Sequence, residues 1–212
     1  MARLLVGLVL LLTVVGCTPT AHVKPLTAQS IALQPGDAAG LQGCDTAGDM
    51  QTVLRKEKSG GQIEYDHNAT EWQQWKDQGA TEAYFAAYGR TAADCDALSP
   101  IGAGAPRGGL MAGLVVKFKD AAVAARNYRA ASTLLGFGPK DIAFIRLVGG
   151  SITTGSDTGL GPQSVIGSGS VVGSTYYFAF WQNKAFDSFF IAYDLPTFEA
   201  QGAAENVNQR IS

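Results

Sequence analysis

STYYFAFWQNKAFDSFFIAY, residues 174–193, is the stretch on which the reading of the fold turns. Residues 174–181 and 185–193 read as two strands, and Asn183 with Lys184 supplies a tight turn between them. Alternation sets Tyr177, Ala179 and Trp181 on one face, opposite Tyr176, Phe178 and Phe180. A sheet with one wet face should show one polar set. Here both sets are large and apolar, so both faces should be covered. The cover for the second face is the segment carrying Trp72 and Trp75, a partner or a ligand. A double-sided core is one outcome. The other is a pocket lined by Tyr177, Trp181 and Tyr193, with the small Ala179 leaving room between rings for an apolar or aromatic ligand. Trp181→Ala separates the two, because truncating a packed core Trp costs about 3–5 kcal/mol.

Outward from the hairpin, Pro196 precedes an amphipathic helix with Ala200, Ala204, Val207 and Ile211 on one stripe. Upstream, 163–166 reads as a strand, 149–161 as a Gly/Ser/Thr-rich loop and 142–148 as another strand. Leu114, Val116 and Phe118 alternate with Val115, Lys117 and Lys119, a strand signature. Asp120 then caps a helix whose stripe is Ala124, Tyr128, Ala131 and Leu135. Residues 69–78 suit a helix that Gly79 ends. Residues 81–88 read as a strand with Tyr84, Ala86 and Tyr88 on one side and Ala83, Phe85 and Ala87 on the other. Residues 50–56 read as a short strand. Together these predict a single α+β domain, an antiparallel sheet with packed helices in an α/β/α sandwich-like arrangement.

Chemistry-bearing motifs are sparse. Outside the N-terminal segment the only histidine is His67, between Asp66 and Asn68, which read as turn and cap residues. The nucleophile elbow, the phosphate-binding loop, the dinucleotide fingerprint and H-E-x-x-H are absent from the sequence. Gly167-Ser168-Gly169-Ser170 has a hairpin-loop composition. Residues 153–158 carry hydroxyls and Asp157 but not the repeated acids of a calcium loop. Asp94 and Asp96 flank Cys95 and read as a solvated turn. No cofactor or metal is expected. With 16 Lys and Arg against 18 Asp and Glu, and no basic stripe, nucleic acid is a poor partner.

The N-terminus carries the most specific signal. Arg3 precedes an apolar run, Leu4 to Val15, which is too short for the roughly 20 residues of a membrane span. The run ends Val14-Val15-Gly16-Cys17, which resembles the lipobox of bacterial lipoproteins. That resemblance implies cleavage before Cys17 and a diacylglyceryl group, with fatty acyl chains such as palmitate, on its sulfur. The expected organisation is a signal peptide at 1–16, a lipidated Cys17 and tether at 17–30, and an exported domain at 31–212. Loss of Arg3 with the signal takes the formal net charge from −2 to −3. The tether is rich in Thr, Ala and Pro. Cys17 being lipidated leaves Cys44 and Cys95, and an oxidising compartment favours their pairing. The closed loop of about 50 residues is worth roughly 4 kcal/mol in the chain-entropy account.

The aromatic hairpin and closing helix, ending Arg210-Ile211, resemble the C-terminal part of many bacterial lipoproteins. They are also similar in plan to PsbP/Mog1-like and sensor-like α/β/α domains over roughly the last hundred residues. The functional expectation is a membrane-anchored cell-envelope lipoprotein, held to the bilayer through Cys17 and facing the periplasm or the outside. It would bind a small ligand or an envelope protein without catalysis. A hydrolase using Ser and Asp groups of the Gly-rich loops, and a purely structural or assembly lipoprotein, are the alternatives.

Overall fold

The computed structural model describes residues 25–60, 62–97, 108–130, 145–147, 149–171 and 173–212. Residues 1–24, Cys17 among them, and Ala131 and Leu135 lie outside them. The strands are β1 (Gln42–Gly43), β2 (Gly48–Asp49), β3 (Ala80–Gly89), β4 (Leu110–Phe118), β5 (Ser151–Thr154), β6 (Ser164–Val171), β7 (Ser174–Asn183) and β8 (Phe186–Tyr193). The helices are α1 (Ala28–Ile31), α2 (Met50–Gly60), α3 (Gln62–Asp77), α4 (Ala92–Asp96), α5 (Ala121–Arg129) and α6 (Thr197–Ile211), with 3-10 turns at Pro35–Asp37 and Gly155–Thr158. The strands form one antiparallel sheet, ordered β1-β3-β4-β8-β7-β6-β5, with β2 also on the outer edge of β3. The fold is α+β.

Strand alternation divides the core into two layers. On one face Tyr177, Ala179, Trp181, Phe190, Ala192, Met111 and Val115 pack beneath α1 and α6. On the other, Ala83, Val116 and Phe118 meet Trp72 and Trp75 of α3 and Val123 and Ala124 of α5. Helices therefore cover both faces, as the two-sided aromatic hairpin requires. The predicted stripe of α6 is buried as read, with Ala200, Ala204, Val207 and Ile211 all in the core. Asp120 caps α5 through its carboxylate, which accepts from the Val123 amide at 2.8 Å. Cys44 and Cys95 are disulfide-bonded, Cα atoms 5.4 Å apart. The bond ties the segment after β1 to α4.

Several local expectations are corrected. Residues 50–56 belong to helix α2. Met50, Val53 and Leu54 follow helical spacing, and Met50 and Leu54 pack against the Trp72 cluster. Asp66 and Asn68 lie inside α3, not in a turn before it; Asn68 donates to the Glu57 carboxylate of α2 at 2.8 Å. Residues 145–147 are helical where a strand was expected. Ile145 packs on Val165 and Phe178, and β5 already occupies the outer edge of β6. The hairpin turn sits one residue later than expected, at Lys184 and Ala185, with Lys184 taking φ 49°. Residues 28–30, expected in the tether, belong to the folded domain. Thr27 caps α1 in a capping box with Ser30, and Ala28 and Ile31 are buried.

Gly167 and Gly169 are not in a hairpin loop but inside β6, opposite Phe178 and Tyr176 of β7. A Cβ on Gly167 would stand 2.1 Å from the Phe178 ring, and one on Gly169 2.5 Å from the Tyr176 hydroxyl. The aromatic rings of β7 lie over the bare backbone of β6, so glycine here makes room for packing.

Candidate functional site

The three residues read as a pocket do not meet. Tyr177 and Trp181 are 3% and 0% exposed, sealed beneath α6. Tyr193 is on the opposite face, packed with Leu110, Ala87 and Cys44. The expected cover for Trp181 was the helix bearing Trp72 and Trp75. That helix packs on the other face, and α6 fills the place, bringing small Ala200, Ala203 and Ala204 against the large rings. The pocket reading of the hairpin is corrected to a double-sided core. Burial pushes the Tyr177 hydroxyl well above its ordinary value, with the Glu205 carboxylate adding to the effect. Neither the Tyr177 hydroxyl nor Trp181 Nε1 has a hydrogen-bond partner among the described residues.

A concavity of about 580 Å³ lies elsewhere, at the outer edge of the sheet. All of its lining except Trp72 falls in three unbroken runs of chain: 27–29 at the start of α1, 48–51 where β2 turns into α2, and 81–84 on β3. It is thus a groove that meets the sheet edge-on, with α1 on one face and α2 and α3 on the other. Its apolar wall is Trp72, Met50 and the Tyr84 ring. Its charged groups are Asp49 and Glu82.

Both carboxylates are held in place. Asp49 caps α2, accepting from the Thr52 amide at 2.9 Å and its hydroxyl at 3.1 Å. The Thr52 amide, the Thr52 hydroxyl, the Gln51 amide and the Arg55 charge hold the Asp49 carboxyl below its ordinary value, against a smaller opposing effect of burial. Glu82 accepts from the Ala28 amide and from Lys117 Nζ, each at 3.0 Å. Lys117 Nζ also donates to the Leu26 carbonyl at 2.8 Å, so this ion pair pins the start of the domain to β3 and β4.

A second polar feature is internal. Asp187, on β8 beneath α5, is 6% exposed, and burial pushes its carboxyl up to about 8. Among the described residues its Oδ1 has no hydrogen-bond partner, nor has Asn127 Oδ1 on α5. Tyr128, stacked on Phe180 with centroids 4.7 Å apart, has its hydroxyl pushed to about 12 by burial and by Asp187. Among the described residues no three His, Cys, Asp or Glu side chains gather to hold a metal. The backbone of His67 lies in α3; its side chain is outside the described residues.

Sequence reasoning missed the groove. Asp49, Trp72, Glu82 and Tyr84 come from β2, α3 and β3, and the misreading of residues 50–56 as a strand hid the turn that opens it. The available signal was Asp49 three residues before Thr52, an N-cap spacing.

No protein-family model matches the chain, and no curated protein matches it in sequence. Among solved structures it is similar to the extracellular domain of PknH from Mycobacterium tuberculosis. That likeness has a TM-score of 0.41 and 11% identity, covering 63% of this chain and 66% of that one, just under two thirds of its length.

Proposed function

We propose that this chain is an exported, lipid-anchored binding protein whose ligand or envelope partner sits in the groove between α1, α2 and the edge of β3. The observation that carries the binding reading is the groove itself, about 580 Å³ with aromatic walls and two fixed carboxylates. Pockets of this size and mixed lining suit a small ligand or a short segment of a partner. What favours binding over catalysis is the state of those carboxylates. Asp49 is occupied as a helix cap and Glu82 as a partner of Lys117 and the Ala28 amide. A general base needs an oxygen free to take a proton from a bound substrate.

Export and anchoring rest on the sequence of the N-terminus, Val14-Val15-Gly16-Cys17 after an apolar run. The Cys44–Cys95 disulfide supports an oxidising compartment. No helix among the described residues is long and apolar enough to cross a membrane. With Cys17 as the acyl acceptor, the domain would hang from the bilayer close to the groove, because the chain enters the fold at 25–29.

One experiment tests the function. The full-length chain is expressed in an exporting bacterial host and purified from its membrane fraction. Co-purifying molecules and proteins are identified by mass spectrometry, beside a variant carrying Gln29→Trp and Gln51→Trp. Both glutamines are exposed and line the groove, so the bulky replacements fill it without touching the core. The expected result is an unchanged unfolding temperature and loss of the bound species. An identical co-purifying set in the filled variant would overturn the reading.

A further inference from the structure

The groove is walled by side chains, and its floor offers a ligand no regular backbone edge. Ala83, where β3 crosses the groove, is 4% exposed and packs in the core with Trp72 and Trp75. The pairing of β3 with β4 also shifts register between Ala80 and Glu82, so the strand is irregular there. Recognition therefore falls to the side chains around the groove. A concavity of about 580 Å³ has room for a small molecule.

The charge of those side chains has one sign. Asp49 and Glu82 line the groove, and no Lys or Arg does. The two carboxylates differ in what already holds them. Glu82 has one oxygen on Lys117 Nζ and the other on the Ala28 amide, each at 3.0 Å, so its charge is balanced within the fold. Among the described residues no Lys or Arg forms an ion pair with Asp49. Its carboxylate accepts from the Thr52 amide and hydroxyl, and Arg55 is the weakest of the influences on it. A carboxylate offers about four acceptor positions, so Asp49 keeps capacity for a further donor. It is exposed, at the point where β2 ends.

An aromatic ring lies beside that carboxylate. Asp49 stands opposite Tyr84 in the β2–β3 register, and cross-strand partners lie side by side. Tyr84 is partly buried and lines the groove together with Met50 and Trp72. Lys76 Nζ already stands 5.9 Å from the Trp72 ring centre, which leaves Tyr84 as the ring for an incoming cation. Gln29, Gln51 and Thr81 add exposed, uncharged hydrogen-bonding groups around it. An unpaired negative group, a ring and an apolar wall in one concavity select a protonated amine on an apolar body.

We infer that the groove binds a small organic cation, an amine whose ammonium donates to Asp49 and whose apolar or aromatic body lies against Tyr84, Met50 and Trp72. This rests on the groove being the binding surface, and it names the class of ligand.

The test uses the purified full-length chain with its disulfide intact, titrated calorimetrically with tryptamine and with tryptophol. Tryptophol carries an uncharged hydroxyl where tryptamine carries its ammonium. Tryptamine should bind about fivefold more tightly, as one exposed charge-assisted contact provides. Indole-3-propionate, with a carboxylate at the same end, should bind more weakly than either, as like charges meet. In Asp49→Asn the preference for tryptamine over tryptophol should vanish. Asn still caps α2, so this variant keeps its fold. Filling the groove with Gln29→Trp and Gln51→Trp should abolish binding of both probes. Equal affinity of tryptamine and tryptophol for the parent chain, the same preference in Asp49→Asn, or undiminished binding to the filled variant would overturn the inference. If tryptamine does not bind but the filled variant loses its co-purifying species, this inference fails and the binding groove stands. If that species is also unchanged, both fall.

Discussion

Asp187 shows how much a single residue's surroundings can govern the behaviour of this domain. Burial raises its carboxyl from the ordinary 3.8 to about 8, beneath α5 and beside Tyr128. The unfolded chain keeps the ordinary value. Below about pH 4 both states hold the proton and the stability contribution is intact. As the pH rises from there to about 8, the unfolded state ionises first and stability falls by up to about 1.4 kcal/mol per unit. Asp49 works in the opposite sense, because its lowered carboxyl costs stability only as the pH falls through the acid range. Asp187→Asn should therefore flatten the decline between pH 5 and 8, raising the unfolding temperature most at the alkaline end. Thermal unfolding at several pH values checks this; a variant with the same slope as the parent contradicts it. Nothing in the sequence around Asp187 marks it out, because the helix that buries it is about sixty residues away along the chain.

At the scale of elements, β6 and α6 give a paired prediction. Gly167→Ala puts a Cβ into the Phe178 ring and should cost about 1–3 kcal/mol. Gly202→Ala, in α6 with nothing within 4 Å, should gain about 0.5–1 kcal/mol from helix propensity. Denaturant unfolding of both variants tests whether glycine in β6 is there for packing. A second prediction concerns the clasp that α6 places on the start of the fold. Arg210 donates to the Ile31 and Ala32 carbonyls at 3.0 and 3.1 Å and pairs with the Asp37 carboxylate at 2.6 Å. Arg210→Met should cost about 1.5–3 kcal/mol. Faster amide exchange at 28–33 should accompany the loss; unchanged protection there would show the clasp to be dispensable.

The elements that were legible in the sequence are the ones with a strong period. The aromatic hairpin, the alternation of β3 and β4 and the stripe of α6 all read correctly, because burial on a fixed face imposes period 2 or 3.6. α2 has helical spacing at Met50, Val53 and Leu54 but was misread as a strand, whereas α1, β5 and the glycine stretch of β6 carry no period of their own. α1 is four residues long and is held by its cap and by Arg210. β5 has Ile152 as its only large apolar residue and exists because β6 lies beside it. Gly167 and Gly169 look like a loop until the rings of β7 are placed over them.

For the whole molecule, the Cys44–Cys95 bond was legible from the cysteine count and the expected compartment, whereas the groove was not. Reducing that bond, or replacing both cysteines with serine, should cost about 2–5 kcal/mol. The segment joining β1 to β2 should loosen with it, since Cys44 also donates its amide to Ala87 at 2.8 Å. Urea unfolding with and without reductant measures the change, and coincident curves would contradict it. The candidate site was hidden because it belongs to no single element. It arises where three chain runs converge at a sheet edge, whereas the aromatic residues that drew attention in the sequence are spent on the core.

The proposed binding surface of this molecule is the outer edge of β3, not its aromatic hairpin. Hydrogen–deuterium exchange of the chain as purified from its membrane fraction, against the same chain stripped of bound material and refolded with its disulfide, tests this directly. Stripping is expected to deprotect residues 27–29, 48–51 and 81–84 while the hairpin at 174–193 stays unchanged. Deprotection centred on 174–193, or no difference anywhere, would contradict it.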